Sequence, residues 1–600
     1  MKRNVLLVEP PYKNKYPPMG LMKLASYFRG RNDSVRFLKG NFRDFAAELL
    51  CEEFFCTYCD KSFVRYFRAF TEYIKTGKHS LIESIPNFYN FERENEIINY
   101  RHRFRNHDYP KFDIIAITTL FTFCWKEIID TINGAKEFIA SSGRILVGGI
   151  AASLVPEELE RETGITPIKG ILNKPFMIDS DSDVIIDDLP LDYSILEETE
   201  YTYPSHDAYF AYTTRGCIRH CSFCAVPMLE PEYKSFTGIH EQIEYIDSHF
   251  GQRKDLLLMD NNVLASDRFD EIIDEIKRCG FSKGASYIPP NEYEIAINNL
   301  RNEYNTRAYI RKIIALYNRT AERMPDKEAG EFYIYREQNY LLYPESASRD
   351  AILTADDYFR PIYAKYFRPV RRARYVDFNQ GIDARLISDS NMKKLAEINI
   401  RPLRIAFDHY EQRDIYVNAV RTAARCGITD LSNYLLYNFH DEPDDLYYRM
   451  RINVELCEEL NVKIYSFPMK YHPVRDPEYF RNRDYIGEHW NRKFIRAVQA
   501  VMNSTKGKIG RGFEFFCEAF GHDVNEFHDI LYMPETFIIY RFKYKYNLAE
   551  EWSGKFHALS ESEFYEAREI IKANLFTDEI IRNASSDSIR DVLSYYCIEH

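Results

Sequence analysis

The chain contains no apolar run of about 18 residues, the minimum a membrane-spanning helix needs, so no membrane span is expected. Its first apolar run, Val5 to Val8, stops at Glu9-Pro10, too short for the hydrophobic region of a signal peptide. Positive charge is not in surplus either. The formal net charge of −12 argues against a protein coated in nucleic acid, although it leaves room for a local basic groove. The phosphate-cradling G-x-x-x-x-G-K-[ST], the zinc-protease H-E-x-x-H and the G-x-S-x-G nucleophile turn are all missing. Cysteine is sparse, with 12 in 600 residues, which excludes a disulfide scaffold. Cys124, Cys279, Cys426, Cys457, Cys517 and Cys597 stand alone and read as small buried hydrophobes. A reducing, cytoplasmic setting fits this usage.

What is present describes a globular protein of several domains. A chain of 600 residues is too long for one ordinary core, and two to four domains are expected. Apolar residues make up 45% and charged residues 28%, ordinary values for a folded protein. The aromatic fraction is high at 15%, which implies large buried cores and selects no ligand.

The N-terminal part alternates short apolar runs with helical patterns. Strands are predicted at Asn4–Glu9, Val35–Lys39, Asp113–Thr118 and Arg144–Gly149, with a helix from Met19 to Arg29 opened by Pro17-Pro18. Such alternation implies a parallel, doubly wound sheet. Residues 42–109 read as a long aromatic, helical insertion. From 207 the strand-then-helix pattern resumes. Strands are predicted at Tyr209–Thr213, Leu256–Asp260, Val376–Asn379, Leu403–Phe407, Tyr434–Phe439 and Ile464–Phe467, and helices at 238–250, 269–279, 389–398, 412–425 and 443–459. The fold class expected is α/β. A doubly wound Rossmann-like domain spans 1–175 and an acidic linker 176–206. A partial (β/α)6 barrel of TIM type follows over 207–485, interrupted by a helical insertion, a lid or small subdomain, at 282–373. A helical region, 486–600, ends the chain.

In parallel α/β folds reacting groups collect at the C-terminal ends of strands. Here the run Thr214-Arg-Gly-Cys-Ile-Arg-His-Cys-Ser-Phe-Cys-Ala-Val-Pro227 follows the first strand of the second set. Asp260-Asn261-Asn262 follows the second, Asn379 to Arg385 the third and Asp408-His409 the fourth, while Asn438-Phe-His440 ends the fifth and Pro468-Met-Lys470 the sixth. Three thiols at C-x3-C-x2-C spacing, Cys217, Cys221 and Cys224, can close around one face of a metal centre. A closed zinc site takes four ligands, and clusters dedicated to electron transfer usually have four cysteines. Three thiols leave a position open. Zinc completed by a distant fourth ligand is the alternative.

With glycine before the first cysteine and an aromatic before the last, this loop resembles the signature of the radical S-adenosylmethionine (SAM) enzymes. The resemblance implies a 4Fe–4S cluster on Cys217, Cys221 and Cys224 whose open iron takes the amino and carboxylate groups of SAM. A low-potential electron, from a flavodoxin-like or ferredoxin-like reductant, then releases a 5′-deoxyadenosyl radical that abstracts hydrogen from a substrate. Phe223 stands where that family places an aromatic against the adenine. The phrase Asp377-Phe-Asn-Gln-Gly-Ile-Asp-Ala-Arg-Leu386 is similar to a motif of some radical SAM subgroups.

Among the remaining rim residues, Arg385 offers a planar fork for a carboxylate, and Asp383 and Asp408 are acceptors suited to ribose hydroxyls or an amino group. Asp260 and Asn261 can serve the same ends or meet substrate. No residue is singled out as a catalytic acid or base. Each candidate also has a plain structural reading. Asp408-His409 can cap the next helix, Asp383 and Arg385 can be a surface pair, and Phe467 and Met469 read as core.

The N-terminal pieces Val5-Leu-Leu-Val-Glu-Pro-Pro11, Pro18-Met-Gly-Leu-Met-Lys-Leu-Ala25 and Val147-Gly-Gly-Ile150 resemble the cobalamin-binding domain found ahead of many radical SAM cores. That family's Asp-x-His-x-x-Gly motif does not occur between residues 1 and 170. Two readings stand: cobalamin held without that motif, or a Rossmann-like domain kept for substrate or partner contact.

Two further groups carry candidate chemistry. Cys51-x4-Cys56-x2-Cys59 can hold a second metal, or it can be core packing in an aromatic helix. The basic, aromatic stretch Arg360 to Arg374 suits phosphate contact and base stacking, or it is a solvated face, which is favoured. The expectation is a radical SAM enzyme. The alternatives are a cobalamin-dependent radical SAM methyltransferase, a cluster-bearing sensor without turnover, or a zinc module for nucleic acid. The C-terminal RNA-binding barrel of many methylthiotransferases is not apparent, so a nucleic-acid substrate is not favoured.

Overall fold

The computed structural model describes residues 2–59, 61–83, 85, 91–509 and 512–598. Its fold is mixed α/β, with parallel sheets at both stages predicted from the sequence. The first sheet has strands β1 (Asn4–Glu9), β2 (Ser34–Lys39), β3 (Phe112–Thr119) and β4 (Ile139–Gly149) in the order β2-β1-β3-β4, all parallel. Val5, Leu6, Leu7 and Val8 are all buried, as a strand covered on both faces requires, which is why β1 reads as an unbroken apolar run. The helix Met19–Gly30 covers one face through Leu21, Met22, Leu24, Ala25 and Phe28. β4 starts five residues earlier than predicted, and the β3–β4 register shifts between Phe112 and Ile114.

The helical insertion packs on the other face. Helices Phe42–Tyr58, Phe67–Thr76 and Phe91–Arg105 interlock through the rings of Phe54, Phe55, Phe70 and Tyr100. Residues 60, 84 and 86–90 of that predicted stretch lie outside the described residues. Their neighbours bury Cys51 in this core, where its thiol donates to the carbonyl of Phe67.

Residues 176–206 cross to the second half as ordered chain. Most of their acidic groups, which gave the stretch its linker composition, are held by an arginine or lysine. Asp179 meets Arg3, Arg31 and Arg144, Asp192 and Glu198 share Arg29, and Asp187 meets Lys23 and Arg215.

The second half holds two three-stranded parallel sheets. β5 (Ala208–Ala211), β6 (Asp255–Leu258) and β9 (Val376–Phe378) form one, and β10 (Leu403–Arg404), β11 (Asp430–Tyr437) and β12 (Lys463–Lys470) the other. Isolated parallel bridges, Val376 to Ile400 and Ile382 to Ile405, join the two at the β9–β10 seam. All six predicted strands are present and run in chain order. Helices His240–Phe250, Phe269–Ile276, Asp389–Leu395, Arg413–Arg425 and Pro443–Leu460 follow β5, β6, β9, β10 and β11.

Between β6 and β9 the antiparallel pair β7 (Ser286–Tyr287) and β8 (Arg372–Ala373) brackets five helices over 292–366. These helices have their own buried cluster, centred on Tyr293, Ile313, Tyr317, Phe332 and Phe359. The basic run here is neutralised in part: Arg360 pairs with Glu294 and Asp356, and Lys365 with Glu328, while Arg374 is buried against the Phe281 ring. The helices after 491 belong to the main core, one buried cluster running from β5 through helix Pro443–Leu460 to Trp552 and Ile589.

Candidate functional site

The loop after β5 is fixed from beneath. Asp260, at the end of β6, is fully buried, and one of its oxygens accepts the Thr213 hydroxyl, the Thr214 hydroxyl and the Thr214 N–H. Desolvation pushes this carboxyl above its ordinary range, against the pull of those donors. Asn261 donates to Glu230, whose same oxygen also accepts the Gly216 N–H at 2.7 Å, while its other oxygen holds Arg215 at 2.9 Å. Gly216 has φ +68°, and a Cβ there would fall 2.5 Å from the carbonyl oxygen of Glu232, so only glycine fits. Asp260 and Asn261, candidates for a cofactor in the sequence, hold the strand-to-loop turn through these bonds.

The three thiols emerge from this support half-buried. Among the described residues no three histidine, cysteine, aspartate or glutamate side chains are arranged as a ready-made metal group. The loop nevertheless has the chemistry of a thiolate metal site. The backbone N–H of Arg219 donates to Cys217 Sγ at 3.3 Å, and Asn262 Nδ2 lies 3.7 Å from the same sulfur. Burial raises the thiols of Cys221 and Cys224, and the Asp408 carboxylate raises both further. Neighbouring thiols that are partly buried beside a carboxylate need a cation to become thiolates together, and a bound metal supplies it.

Rim residues from the later strands converge on Cys221. Asp383, Arg385 and Asp408 all act on its thiol electrostatically. Asp383 is almost wholly buried and caps the short turn Ala384–Leu386 through the Arg385 N–H. It also takes the Arg385 fork at 2.7 and 3.0 Å, and Arg219 of the thiol loop at 3.1 Å. These contacts depress its carboxyl against the opposing effect of burial. The expected carboxylate fork of Arg385 is therefore engaged by its own neighbour, and the pair is no surface pair, since it ties the loop after β9 to the loop after β5.

Asp408 lies beyond β10. Burial raises its carboxyl, while His409, Arg449 and Arg385 counter it. Neither Asp408 nor His409 caps the following turn or helix with its side chain. Phe223 meets His409 and Phe439 edge-on, each at 5.9 Å between centroids, so an aromatic corner closes over the thiol loop. No helix of the described residues is long and apolar enough to cross a membrane.

No protein-family model matches the chain, and no curated protein matches it. Among solved structures the chain is similar, at low TM-score, to three that can be named. Two are of the radical S-adenosylmethionine methyltransferase TsrM from Kitasatospora setae. One, with cobalamin and a [4Fe-4S] cluster bound, has TM-score 0.38 and 11% identity over 84% of this chain and 79% of that one. The other, with tryptophan substrate and the SAM analogue aza-SAM, has TM-score 0.39 and 12% identity over 83% and 77%. A third is apo OxsB, a cobalamin-dependent S-adenosylmethionine radical enzyme, with TM-score 0.35 and 12% identity over 100% and 76%.

Tyr16 and Arg404 escape sequence reading. Tyr16 reaches from the N-terminal half to donate to Asn379 at 2.7 Å and packs edge-on to Phe210. Arg404 and Asp377 form a buried two-bond pair, both at 2.8 Å. Asn438, at φ +66°, ties the ends of segment 471–487 by donating to the Tyr471 and Tyr485 carbonyls and accepting the Gly487 N–H. The positive φ of Asn438 follows from that role, and its place after an apolar strand was the available signal. Phe467 and Met469, expected in the core, are exposed by 39% and 47% with Tyr465, because alternation along the terminal strand β12 turns them away from helix Pro443–Leu460. Cys51, Cys56 and Cys59 form no metal group among the described residues. Cys51 is buried while Cys56 is exposed.

Proposed function

We propose that this protein is a radical SAM enzyme. The observation that carries the reading is the thiol loop: three cysteines at C-x3-C-x2-C spacing on the C-terminal rim of a parallel sheet, with two N–H donors directed at Cys217 Sγ and three charged groups from two later strand ends, Asp383, Arg385 and Asp408, acting on Cys221. A 4Fe–4S cluster bound there supplies reductive cleavage of SAM to a 5′-deoxyadenosyl radical.

The work of the chain is to hold and shield. Cys217, Cys221 and Cys224 are the ligands in this reading. Phe223, with His409 and Phe439, forms the wall for the adenine. Asp408, whose carboxylate has no fork of its own, is the acceptor for an amino group or a ribose hydroxyl. Asp383 and Arg385 act as a unit that orients the loop through Arg219. Asp260 and Asn261 position the loop from below. A flavodoxin-like or ferredoxin-like protein is the reductant this reading requires.

The same reading takes β5, β6, β9, β10, β11 and β12 as a partial six-stranded barrel of TIM type, supported by the parallel bridges across the β9–β10 seam. Its domains are the Rossmann-like region 1–175, the connector 176–206, the core 207–485 with its insertion 282–373, and the helical region 486–600.

Cobalamin-dependent methyl transfer is the second reading, favoured by the β2-β1-β3-β4 sheet set against the core. The crevice of such a sheet lies beyond the ends of β1 and β3. In this chain it is lined by Tyr12, Phe121 and Phe123, and Arg483 of segment 471–487 lies on the Phe123 ring. These side chains line the face on which cobalamin would have to sit.

The test is anaerobic reconstitution with iron and sulfide, then dithionite and SAM, assayed for 5′-deoxyadenosine. Product from the wild type and none from Cys221→Ala is expected. Uptake of zinc with no iron would sink the reading. Cobalamin retained on the purified protein selects the second reading.

A further inference from the structure

Asn262 precedes the short turn Val263–Ala265, the position where asparagine ordinarily folds its side-chain oxygen back onto the next backbone N–H groups. It makes no such cap. The residue is 2% exposed, its Nδ2 is directed to Cys217 Sγ at 3.7 Å, and its Oδ1 is buried with no hydrogen-bond partner. An unpaired buried carbonyl oxygen costs about 1–3 kcal/mol. A local cap would have satisfied that oxygen, yet the side chain is turned to the sulfur. Tyr233 closes the other side, its hydroxyl 3.4 Å from the Asn262 carbonyl. Among the described residues, Cys217 Sγ takes two donors, the Val226 N–H alone favours the Cys224 thiolate, and no donor is directed at Cys221 Sγ, so the donors gather most on Cys217.

We propose that Asn262 is a positioning residue that sets the reduction potential of the iron–sulfur centre through the Cys217 thiolate. The inference rests on the radical SAM reading of the loop. An amide N–H aimed at a thiolate stabilises negative charge on sulfur. Reduction adds one electron, delivered by the protein reductant, and part of that charge resides on the ligating sulfurs. The reduced state therefore gains more from the bond than the oxidised state does, and hydrogen bonds to sulfur raise the potential. The backbone donor of Arg219 persists whatever side chain stands there, so Asn262 is the part that substitution can remove.

The test uses the full chain with Asn262→Leu, which keeps the volume and removes the donor, and Asn262→Asp, which keeps the shape and replaces the donor with charge. Each is reconstituted anaerobically with iron and sulfide, and its midpoint potential is read by electron paramagnetic resonance. Both variants are expected to load iron as the wild type does. N262L is expected to be harder to reduce by about tenfold in the one-electron equilibrium, a shift of about 59 mV to more negative potential, and N262D harder still. Iron-free N262L is expected to melt at or above the wild-type temperature, since the unpaired oxygen is gone. A fully loaded N262L with an unchanged potential overturns the inference and leaves the radical SAM reading standing. Loss of iron in both variants makes Asn262 a structural prop and overturns it as well. A wild type that never gives an iron–sulfur signal overturns the reading and the inference together.

Discussion

Phe480 lies edge-on against Trp125, with 4.9 Å between ring centroids, and is fully buried in a cluster otherwise built from residues 6–159. It is the tip of segment 471–487, which leaves the end of β12, crosses to the N-terminal sheet and returns to Asn438. Arg481 pairs with Glu162, which also accepts the Trp125 indole N–H at 3.0 Å. Most of the remaining segment is exposed or half-buried, so the Phe480 ring, the Arg481–Glu162 pair and the Arg483 guanidinium on the Phe123 ring hold it across the seam.

Phe480→Ala should free this segment. Deleting a buried phenylalanine costs about 3–5 kcal/mol in a core and somewhat less at a seam that can relax. Trypsin should then cut after Arg475, Arg481 or Arg483 at least about tenfold faster than in the wild type, because opening of about 1.4 kcal/mol already gives that factor. Limited proteolysis with mass spectrometry reads the sites. Equal cleavage rates would show that Phe480 is not what holds the segment.

The thiol loop should fail from its supports as surely as from its ligands. Gly216→Ala meets both a left-handed φ and the Glu232 carbonyl, and Asp260→Ala strips three buried donors of their acceptor. Each should destabilise the protein by about 2–4 kcal/mol and lower iron uptake on reconstitution. Asp260→Asn, which keeps an acceptor oxygen, should fall between. Full iron content in Asp260→Ala would mean that the buried carboxylate is not needed to shape the loop.

The two cysteine groups should separate cleanly in metal content. Cys217→Ser, Cys221→Ser and Cys224→Ser should each abolish the brown colour, whereas Cys56→Ser and Cys59→Ser should leave the iron-to-protein ratio at about four, the content of one 4Fe–4S cluster. Iron analysis after anaerobic reconstitution decides it. A drop in iron for Cys56→Ser or Cys59→Ser would point to a second centre in the N-terminal insertion.

Lys493 gives a pH dependence of definite sign. Its ammonium is buried in helix Arg492–Ser504, donates to the Met533 carbonyl, and is lowered by desolvation to about 7. The folded value lies below the unfolded one, so the unfolded chain binds more protons between the two, and stability rises with pH from about 7 toward about 10.5. Lys493→Met should therefore raise the melting temperature most near pH 6.5, with the advantage shrinking by roughly 3 kcal/mol by pH 9.5. An advantage independent of pH would mean that this lysine is paired or hydrated in the fold.

Periodicity determined most of the fold. Strands β1, β2, β3, β6 and β9 and the helices His240–Phe250, Arg413–Arg425 and Pro443–Leu460 fall within a few residues of their predicted positions, because a doubly covered parallel strand is an apolar run and a covering helix repeats its apolar residues at fixed intervals. The thiol spacing was equally legible, since three ligands for one centre must lie close along the chain. Direction is what the sequence alone did not carry. Asp260, Asn261 and Asn262 are consecutive polar residues after one strand, yet the first turns beneath Thr213, the second to Glu230 and the third to Cys217 Sγ. Asp383 and Arg385 read as two free ligand groups and close on each other. Phe467 read as core and is exposed, because burial on β12 depends on which face the neighbouring helix covers. Spacing along the chain limits which residues can meet, but the contacts a side chain makes depend on partners far away in sequence, and only the tertiary structure brings those partners to it.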